Sequence, residues 1–185
     1  MRRSLVVLAA ALAAGCAAPG EREADRYFIL EAAPAVAARP AALLRVLPTS
    51  ASSFYDTQDI VYSRAPGTRA YYQFNHWTER PQRAIHAQLA ARLEAAAPAQ
   101  GLLLVTHLDE IVHDAARPPG TARIVLTARL VDPASRTVLA RRTFDRSAPA
   151  ASYDASGAVQ GFDRALGALF DDVAAWVSAE TEERQ

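Results

Sequence analysis

Apolar residues repeat at helical spacing in residues 79–97, which predicts an amphipathic helix. Its apolar stripe consists of Ile85, Leu89 and Leu93. Thr78 is the expected N-cap, and Pro81 suits the first turn, where a missing backbone N–H costs little. Pro98 and Gly101 are expected to end the helix.

A second, stronger helical pattern covers about residues 156–180. Its apolar positions are Val159, Phe162, Leu166, Leu169, Phe170, Val173, Trp176 and Val177. This stripe is wide enough to cover a sheet, so we expect the helix to pack along its whole length.

Between and before these helices lie short apolar or alternating runs typical of strands. They cover residues 27–30, 43–47, 59–63, 70–77 and 101–112, followed by hairpin arms at 124–131 and 137–144. The hairpin loop is expected at 132–136. The order of elements predicts a single α/β domain, with a mixed β-sheet of about five or six strands and two long helices packed on one face.

The first sixteen residues carry the features of a secretory signal. Arg2 and Arg3 are followed by an uncharged apolar run, residues 5–14, which is too short to span a bilayer core of about 30 Å. The run ends in Leu-Ala-Ala-Gly-Cys, which resembles a bacterial lipobox and makes Cys16 the expected site of lipidation. The alternative is an ordinary signal peptide with an incidental cysteine.

This interpretation divides the chain into a signal peptide at 1–15, a lipidated N-terminus and tether at 16–26, and a domain at 27–185. Several acyl chains on one cysteine would hold the domain firmly on a membrane. Ala17 follows the cysteine, and by resemblance to enterobacterial sorting a residue other than aspartate there favours the outer membrane.

Composition excludes several classes of function. Twenty basic and twenty acidic residues balance, so the chain lacks the basic patch expected of a nucleic-acid-binding protein. All the basic residues are arginine, which excludes a mechanism that depends on a lysine. Cys16 is the only cysteine, so no disulfide forms within the chain.

Candidate catalytic and metal chemistry is sparse. His107, Asp109 and His113 share one face if their strand is regular, but the spacing is unspecific, and we favour an exposed polar strand edge over a metal site. Nucleophile and zinc-protease motifs are absent from the sequence. We therefore predict no cofactor, no metal and no enzymatic activity.

The segment 71–77 is rich in aromatic residues and has two interpretations. The first is packing in the core and sheet, since aromatic side chains dominate protein cores. The second is that some of the rings face a partner or lipid, because exposed aromatic patches mark interfaces.

Four features in order resemble a known family. They are the lipobox cysteine with Tyr-Phe-Ile-Leu at 27–30, Asp-Ile-Val-Tyr-Ser-Arg at 59–64, Tyr-Tyr-Gln-Phe-Asn-His-Trp at 71–77, and Pro81 opening a helix. The pattern resembles the ABC-type transport auxiliary lipoprotein family, which includes the lipoprotein of the paraquat-inducible intermembrane transport system. Tyr62, Arg64, Tyr72 and Trp77 match it; we assign them first to maintaining the fold, with partner binding as the alternative.

The resemblance implies an α/β fold and an outer-membrane lipoprotein that faces the periplasm. It also implies an ABC transporter and a mammalian-cell-entry (MCE) domain bridging protein as partners, lipids as cargo, and possible homo-oligomeric rings. The family offers no catalytic residues to carry over. Three alternatives remain open: a lipoprotein that carries lipid in an apolar cavity, an envelope assembly or stability lipoprotein, and a hydrolase.

Overall fold

The computed structural model describes residues 23–32, 44–94 and 101–183. Its strands are β1 (Arg26–Phe28), β2 (Leu44–Val46), β3 (Ser50–Ala51), β4 (Asp59–Ser63), β5 (Ala70–Trp77), β6 (Leu102–Asp114), β7 (Thr121–Asp132) and β8 (Thr137–Pro149). Its α-helices are α1 (Pro81–Leu93) and α2 (Ala155–Glu182), and a 3-10 turn covers Ser53–Tyr55. Cys16, the signal segment and the Pro98 stop signal lie outside the described residues.

The eight strands form one mixed sheet, in which six follow the order β1-β5-β4-β6-β7-β8 and the short strands β2 and β3 each pair with β6. Strand β6 pairs antiparallel with β7 along almost its full length. Its other edge pairs parallel, in succession, with β2, β3 and β4. The expected count of five or six strands is therefore too low. Of the eight strands, only β3 lies outside the strand-like runs seen in the sequence, because two residues are too few to show alternation.

The boundaries of some elements differ from expectation for local reasons. Thr78 is not the N-cap of α1: its backbone N–H is bonded to the Phe28 carbonyl at 2.8 Å, so the chain is still pairing with β1 at that point. Arg80 is the N-cap, and Pro81 is the first helical residue. The β7–β8 hairpin is longer than predicted, because β8 continues through Pro149, beyond the arm expected to end at residue 144.

Both helices pack on the same face of the sheet. The predicted stripes of α1 and α2 are buried throughout, and they join one hydrophobic cluster with the inward side chains of β6 and β7. Ile124, Leu126, Ala128 and Leu130 are all fully buried on this face, as their alternation predicts. Within the described residues, no helix has the length and hydropathy needed to cross a bilayer.

The segment that follows β1 is held between the two helices. The Gln88 side chain of α1 donates to the Leu30 carbonyl at 2.9 Å and accepts from the Ala32 N–H at 2.8 Å. The Glu31 N–H donates to the Asp163 carboxylate of α2 at 3.1 Å. Burial raises the pKa of Asp163 to about 6. These bonds tie the N-terminal end of the domain to both helices.

Candidate functional site

Three of the four residues that match the family pattern come together at one end of the sheet. Tyr62 on β4 and Tyr72 on β5 lie with their ring centroids 4.7 Å apart. The Arg64 guanidinium carbon lies 5.2 Å from the centre of the Tyr62 ring, a cation–π contact. Trp77 lies elsewhere, in the core, where it is 1% exposed and meets Phe162 of α2 edge-on at 5.6 Å.

Tyr62 and Tyr72, here named the tyrosine pair, contact a buried histidine through Tyr72. The Tyr72 hydroxyl lies 2.8 Å from Nδ1 of His113, and Nε2 of His113 lies 3.2 Å from the Pro119 carbonyl oxygen. Since a carbonyl oxygen only accepts, Nε2 carries the proton and Nδ1 accepts from the Tyr72 hydroxyl. Burial raises the pKa of Tyr72 to about 12, so this hydroxyl keeps its proton at neutral pH.

Gly120 makes this arrangement possible. Its φ is +91°, a backbone conformation that residues other than glycine rarely adopt. A Cβ at this position would lie 2.2 Å from Nε2 of His113 and 2.7 Å from the Asp114 carbonyl oxygen. The turn between β6 and β7 can therefore close over the imidazole only with glycine at position 120.

The His113 site predicts a contribution to acid sensitivity. Burial lowers the pKa of His113 below 6.5, so protonation favours the unfolded chain. Its contribution to stability is present above pH 6.5 and is lost as the pH falls through its pKa in the folded state. We expect the free energy of unfolding of the wild type to fall more than that of His113→Gln as the pH is lowered from 7, measured by urea denaturation.

The comparison with His113→Gln is needed because Asp163 has the opposite effect. Its pKa is raised, so ionisation of Asp163 destabilises the fold as the pH rises from about 4 to 6. Both chains keep Asp163, so the difference between their pH profiles isolates His113. Parallel profiles for the two chains would contradict the assignment of a buried, neutral His113.

Beside the tyrosine pair the surface opens into a cleft of about 310 Å³, here named the Arg64 cleft. Its polar lining includes Glu23, Arg26, Arg64, Tyr72, Asn75, Tyr153 and Asp154. The N-terminal residues, β5 and the start of α2 therefore all contribute walls. The Asp154 side chain is the N-cap of α2, accepting from the Gly157 N–H at 2.8 Å, and this bond lowers its pKa.

Two polar groups in the cleft are incompletely paired. Arg64 is exposed, and no carboxylate of the described residues lies within ion-pair distance of it. Asn75 is 7% exposed, and its Oδ1 has no hydrogen-bond partner among the described residues. A buried amide oxygen without a donor is costly to the stability of the fold.

Two further clefts open at the same end of the sheet. One, of about 460 Å³, is lined by the turn between β6 and β7, including Arg117 and Pro119. The other, of about 290 Å³, lies on the face opposite the helices, above Glu110. The Glu110 carboxylate binds both Arg69 and Arg123, so the charges beneath this cleft are paired.

The expected common face of His107, Asp109 and His113 is wrong. The register of β6 with β7 shifts between Leu108 and Glu110, and this irregularity reverses the alternation of β6. His113 consequently lies opposite Ala122 in the core, while His107 lies opposite Thr127 and is bonded to Ser50 at 2.8 Å. Within the described ranges, no group of three or more metal-ligating side chains is close enough to hold a metal ion.

Sequence reasoning missed His113, Tyr153 and Asn75 as members of the cluster and cleft. For Asn75 a signal was present: it stands two residues before Trp77, so in a regular strand it shares the inward face with that tryptophan. His113 had no such signal, because its face depends on the irregularity in β6.

The solved structures that resemble this chain support its fold. Protein XCC0632 from Xanthomonas campestris, of family DUF330, matches with a TM-score of 0.76 at 20% identity, covering 86% of this chain and 98% of its own. An uncharacterized protein matches with a TM-score of 0.61 at 14% identity, covering 86% of this chain and 99% of its own. No protein of curated function matches the sequence.

The family model described as the ABC-type transport auxiliary lipoprotein component matches residues 28–174. That range begins at the last residue of β1 and ends within α2, so it includes the other seven strands, Tyr62, Tyr72 and Trp77. The chain belongs to the family of ABC-type transport auxiliary lipoprotein components.

Proposed function

We propose that this protein is a non-catalytic docking component of an MCE-associated intermembrane lipid transport system. It is anchored through lipidated Cys16 in the outer membrane and faces the periplasm. The observation that carries the proposal is the family match over residues 28–174, downstream of the lipobox at Cys16. The ABC transporter and the MCE-domain bridging protein are the proposed partners, and ATP is hydrolysed by other subunits.

The position of the domain relative to its anchor supports a docking role. Glu23, the first described residue, is seven residues from Cys16 and lines the Arg64 cleft. Seven residues span at most about 25 Å when fully extended. The tether therefore confines the domain near the membrane, which raises its effective concentration at the distal end of a bridging partner.

The packing favours docking over carriage of a whole lipid. The face of the sheet beneath the helices is occupied by buried side chains that join one cluster. The three clefts described above open at the surface at one end of the sheet, and polar residues contribute to each of them. Acyl chains of a carried lipid would need an enclosed apolar cavity of several hundred Å³ between sheet and helices.

Crosslinking in intact cells tests the proposal. The full-length, tagged and lipidated protein is expected to crosslink to an MCE-domain protein and to co-purify the ATPase and permease of the same system. The matched control is an unrelated outer-membrane lipoprotein with the same tag. Equal recovery of these partners with the control, or no recovery with the protein, would contradict the proposed function.

Native mass spectrometry of the same preparation tests the ring separately. A closed homo-oligomer of one defined stoichiometry is expected if the protein forms a ring around a bridging partner. A monomer at every concentration would contradict the ring. The docking proposal would then be tested by the crosslinking experiment alone.

A further inference from the structure

Two exposed arginines lie next to each other on the sheet face that the helices do not cover. Arg129 of β7 and Arg141 of β8 are directly opposite in the antiparallel ladder. Arg129 alternates with the buried side chains of β7, so both arginines point away from the helices. Among the described residues, the ion pairs of these two strands involve Arg123 and Arg146 instead. Like charges directly opposite each other destabilise a strand pair, so this arrangement is unfavourable in an isolated molecule.

An aliphatic row lies beside this arginine pair. Leu103, Val131 and Val138 are in register across β6, β7 and β8, and Val138 is 48% exposed. Arg45 of β2 is in register with Leu103 and is exposed on the same face. These four residues and the two arginines of β7 and β8 are here named the open-face patch. A patch of aliphatic side chains and arginines suits a protein surface that carries carboxylates.

The C-terminal end of α2 carries the opposite charge. Glu180, Glu182 and Glu183 lie there, and the last turn of the helix contains no basic residue. Glu182 and Glu183 are exposed, and the ion pairs that α2 forms with other described residues involve Asp171 and Asp172 instead. The last backbone carbonyls give this end of a helix a negative partial charge, so carboxylates are unfavourable there. This second cluster is therefore also unfavourable in an isolated molecule.

The two charged clusters lie at the same level along the sheet, on opposite sides of the molecule. Helix α2 runs antiparallel to β8, and Trp176 meets Phe144 with 5.7 Å between the ring centroids. Arg141 is three residues from Phe144, about 10 Å along the strand. Glu182 is six residues from Trp176, about 9 Å along the helix in the same direction. A second copy stacked face to back, without a shift along the strands, therefore brings Glu182 to Arg141.

The outer side of α2 is suited to such stacking. Ala168, Ala175 and Ala179 are exposed at helical spacing on one side of the helix, and Glu182 and Glu183 follow on that side. Alanine side chains allow a neighbouring sheet to approach closely, and they lose no rotamer entropy when they are buried. The aliphatic row of the open-face patch can therefore pack on these alanines while the arginines meet the carboxylates.

We propose that the open-face patch binds the C-terminal part of α2 of a second copy of this chain. Arg129 and Arg141 of one copy pair with Glu182 and Glu183 of the next, which compensates both unfavourable charge arrangements. The contact joins two different surfaces, so its repetition closes a ring when the rotation between copies allows it. It identifies the surfaces that form the homo-oligomer of the proposed function, and it rests on that part of the proposed function.

Charge reversal tests the contact by native mass spectrometry of the full-length lipidated protein in detergent micelles. The wild type is expected to form one closed oligomer. Arg129→Glu/Arg141→Glu and Glu182→Arg/Glu183→Arg each bring like charges together, so the dissociation constant of each variant is expected to rise about tenfold or more. An equimolar mixture of the two variants is expected to recover assembly with equal numbers of each, because each variant then offers the charge that the other requires.

The matched control is Arg117→Glu, which reverses the charge of an exposed arginine at the opposite end of the sheet and should assemble like the wild type. Circular dichroism verifies that each variant is folded. Arginine is favourable at the C-terminal end of a helix, so Glu182→Arg/Glu183→Arg keeps the test valid even if the strand variant does not fold.

Three results would overturn the contact between copies: a monomeric wild type, unchanged assembly of folded Glu182→Arg/Glu183→Arg, or no recovery in a mixture of the folded variants. An unchanged oligomer of Arg129→Glu/Arg141→Glu that no longer crosslinks to the MCE-domain protein would assign the open-face patch to that partner and would overturn the contact as well. The mass measurement contains no transport component, so its failure is distinguishable from failure of the docking function, which crosslinking of the wild type tests.

Discussion

Trp77→Ala is expected to lower the free energy of unfolding by about 3–5 kcal/mol, the usual cost of deleting a large buried aromatic side chain. Trp77 is 1% exposed, and its ring meets Phe162 edge-on between the sheet and α2. The cavity would open where β5 packs on the longer helix, which cannot collapse around it without moving the strand. Urea denaturation at pH 7 measures the loss.

Tyr71→Ala on the same strand is the matched control. Tyr71 is 41% exposed and stacks on Phe54 at 4.8 Å, outside the main core. Its replacement is expected to cost about 1 kcal/mol, typical of a surface aromatic pair. Equal losses for the two variants would contradict the larger role of Trp77 in the core. An unchanged stability of Trp77→Ala with lost partner crosslinking would mean that Trp77 acts at an interface instead.

Cys16→Ser is expected to release the protein from the membrane fraction almost completely. Serine offers no thiol for acylation, and each buried methylene contributes about 0.8 kcal/mol to anchoring, so removing several chains removes the binding energy. Cell fractionation with immunoblotting measures the shift, and labelled palmitate should be incorporated by the wild type alone. If the wild type did not incorporate labelled palmitate, the prediction that it is a lipoprotein would be wrong.

Ala17→Asp is a control for the anchor itself. This variant keeps the cysteine and should remain in the membrane fraction with full palmitate incorporation. By resemblance to enterobacterial sorting it is expected to move from the outer to the inner membrane in a density gradient. An unchanged distribution would leave the anchor intact and contradict the proposed outer-membrane location.

The local hydrophobic pattern predicted the buried side chains correctly in helices and strands that bury one face. The α2 stripe and the alternation of β7 were read from spacing alone, and each of those apolar side chains is buried. The reason is physical: a helix or regular strand presents its residues at a constant angle, so the hydrophobic effect acts on a period visible in the sequence. The family pattern was likewise recognisable from residue order, and the match over 28–174 confirms it.

Tertiary structure alone decided which residues distant in sequence lie next to each other. The irregularity near Asp109 moved His113 from the expected polar face to the core, where it anchors Tyr72. Strands as short as β3 exist because β6 offers a free edge, not because their own sequence demands it. Such features arise from hydrogen bonds between residues far apart in sequence, which local periodicity does not report.

For the candidate site too, the sequence predicted some features and the fold decided others. The order of residues predicted which positions match the family pattern, namely Tyr62, Arg64, Tyr72 and Trp77, and predicted a lipobox before them. Only the fold placed Trp77 in the core and brought Arg64 and Tyr72 to a cleft with Asn75, with Tyr62 packed on Tyr72 beside it. That separation follows from packing: an aromatic side chain is buried or exposed according to what the helices cover, and α2 covers Trp77 but begins beside the cleft.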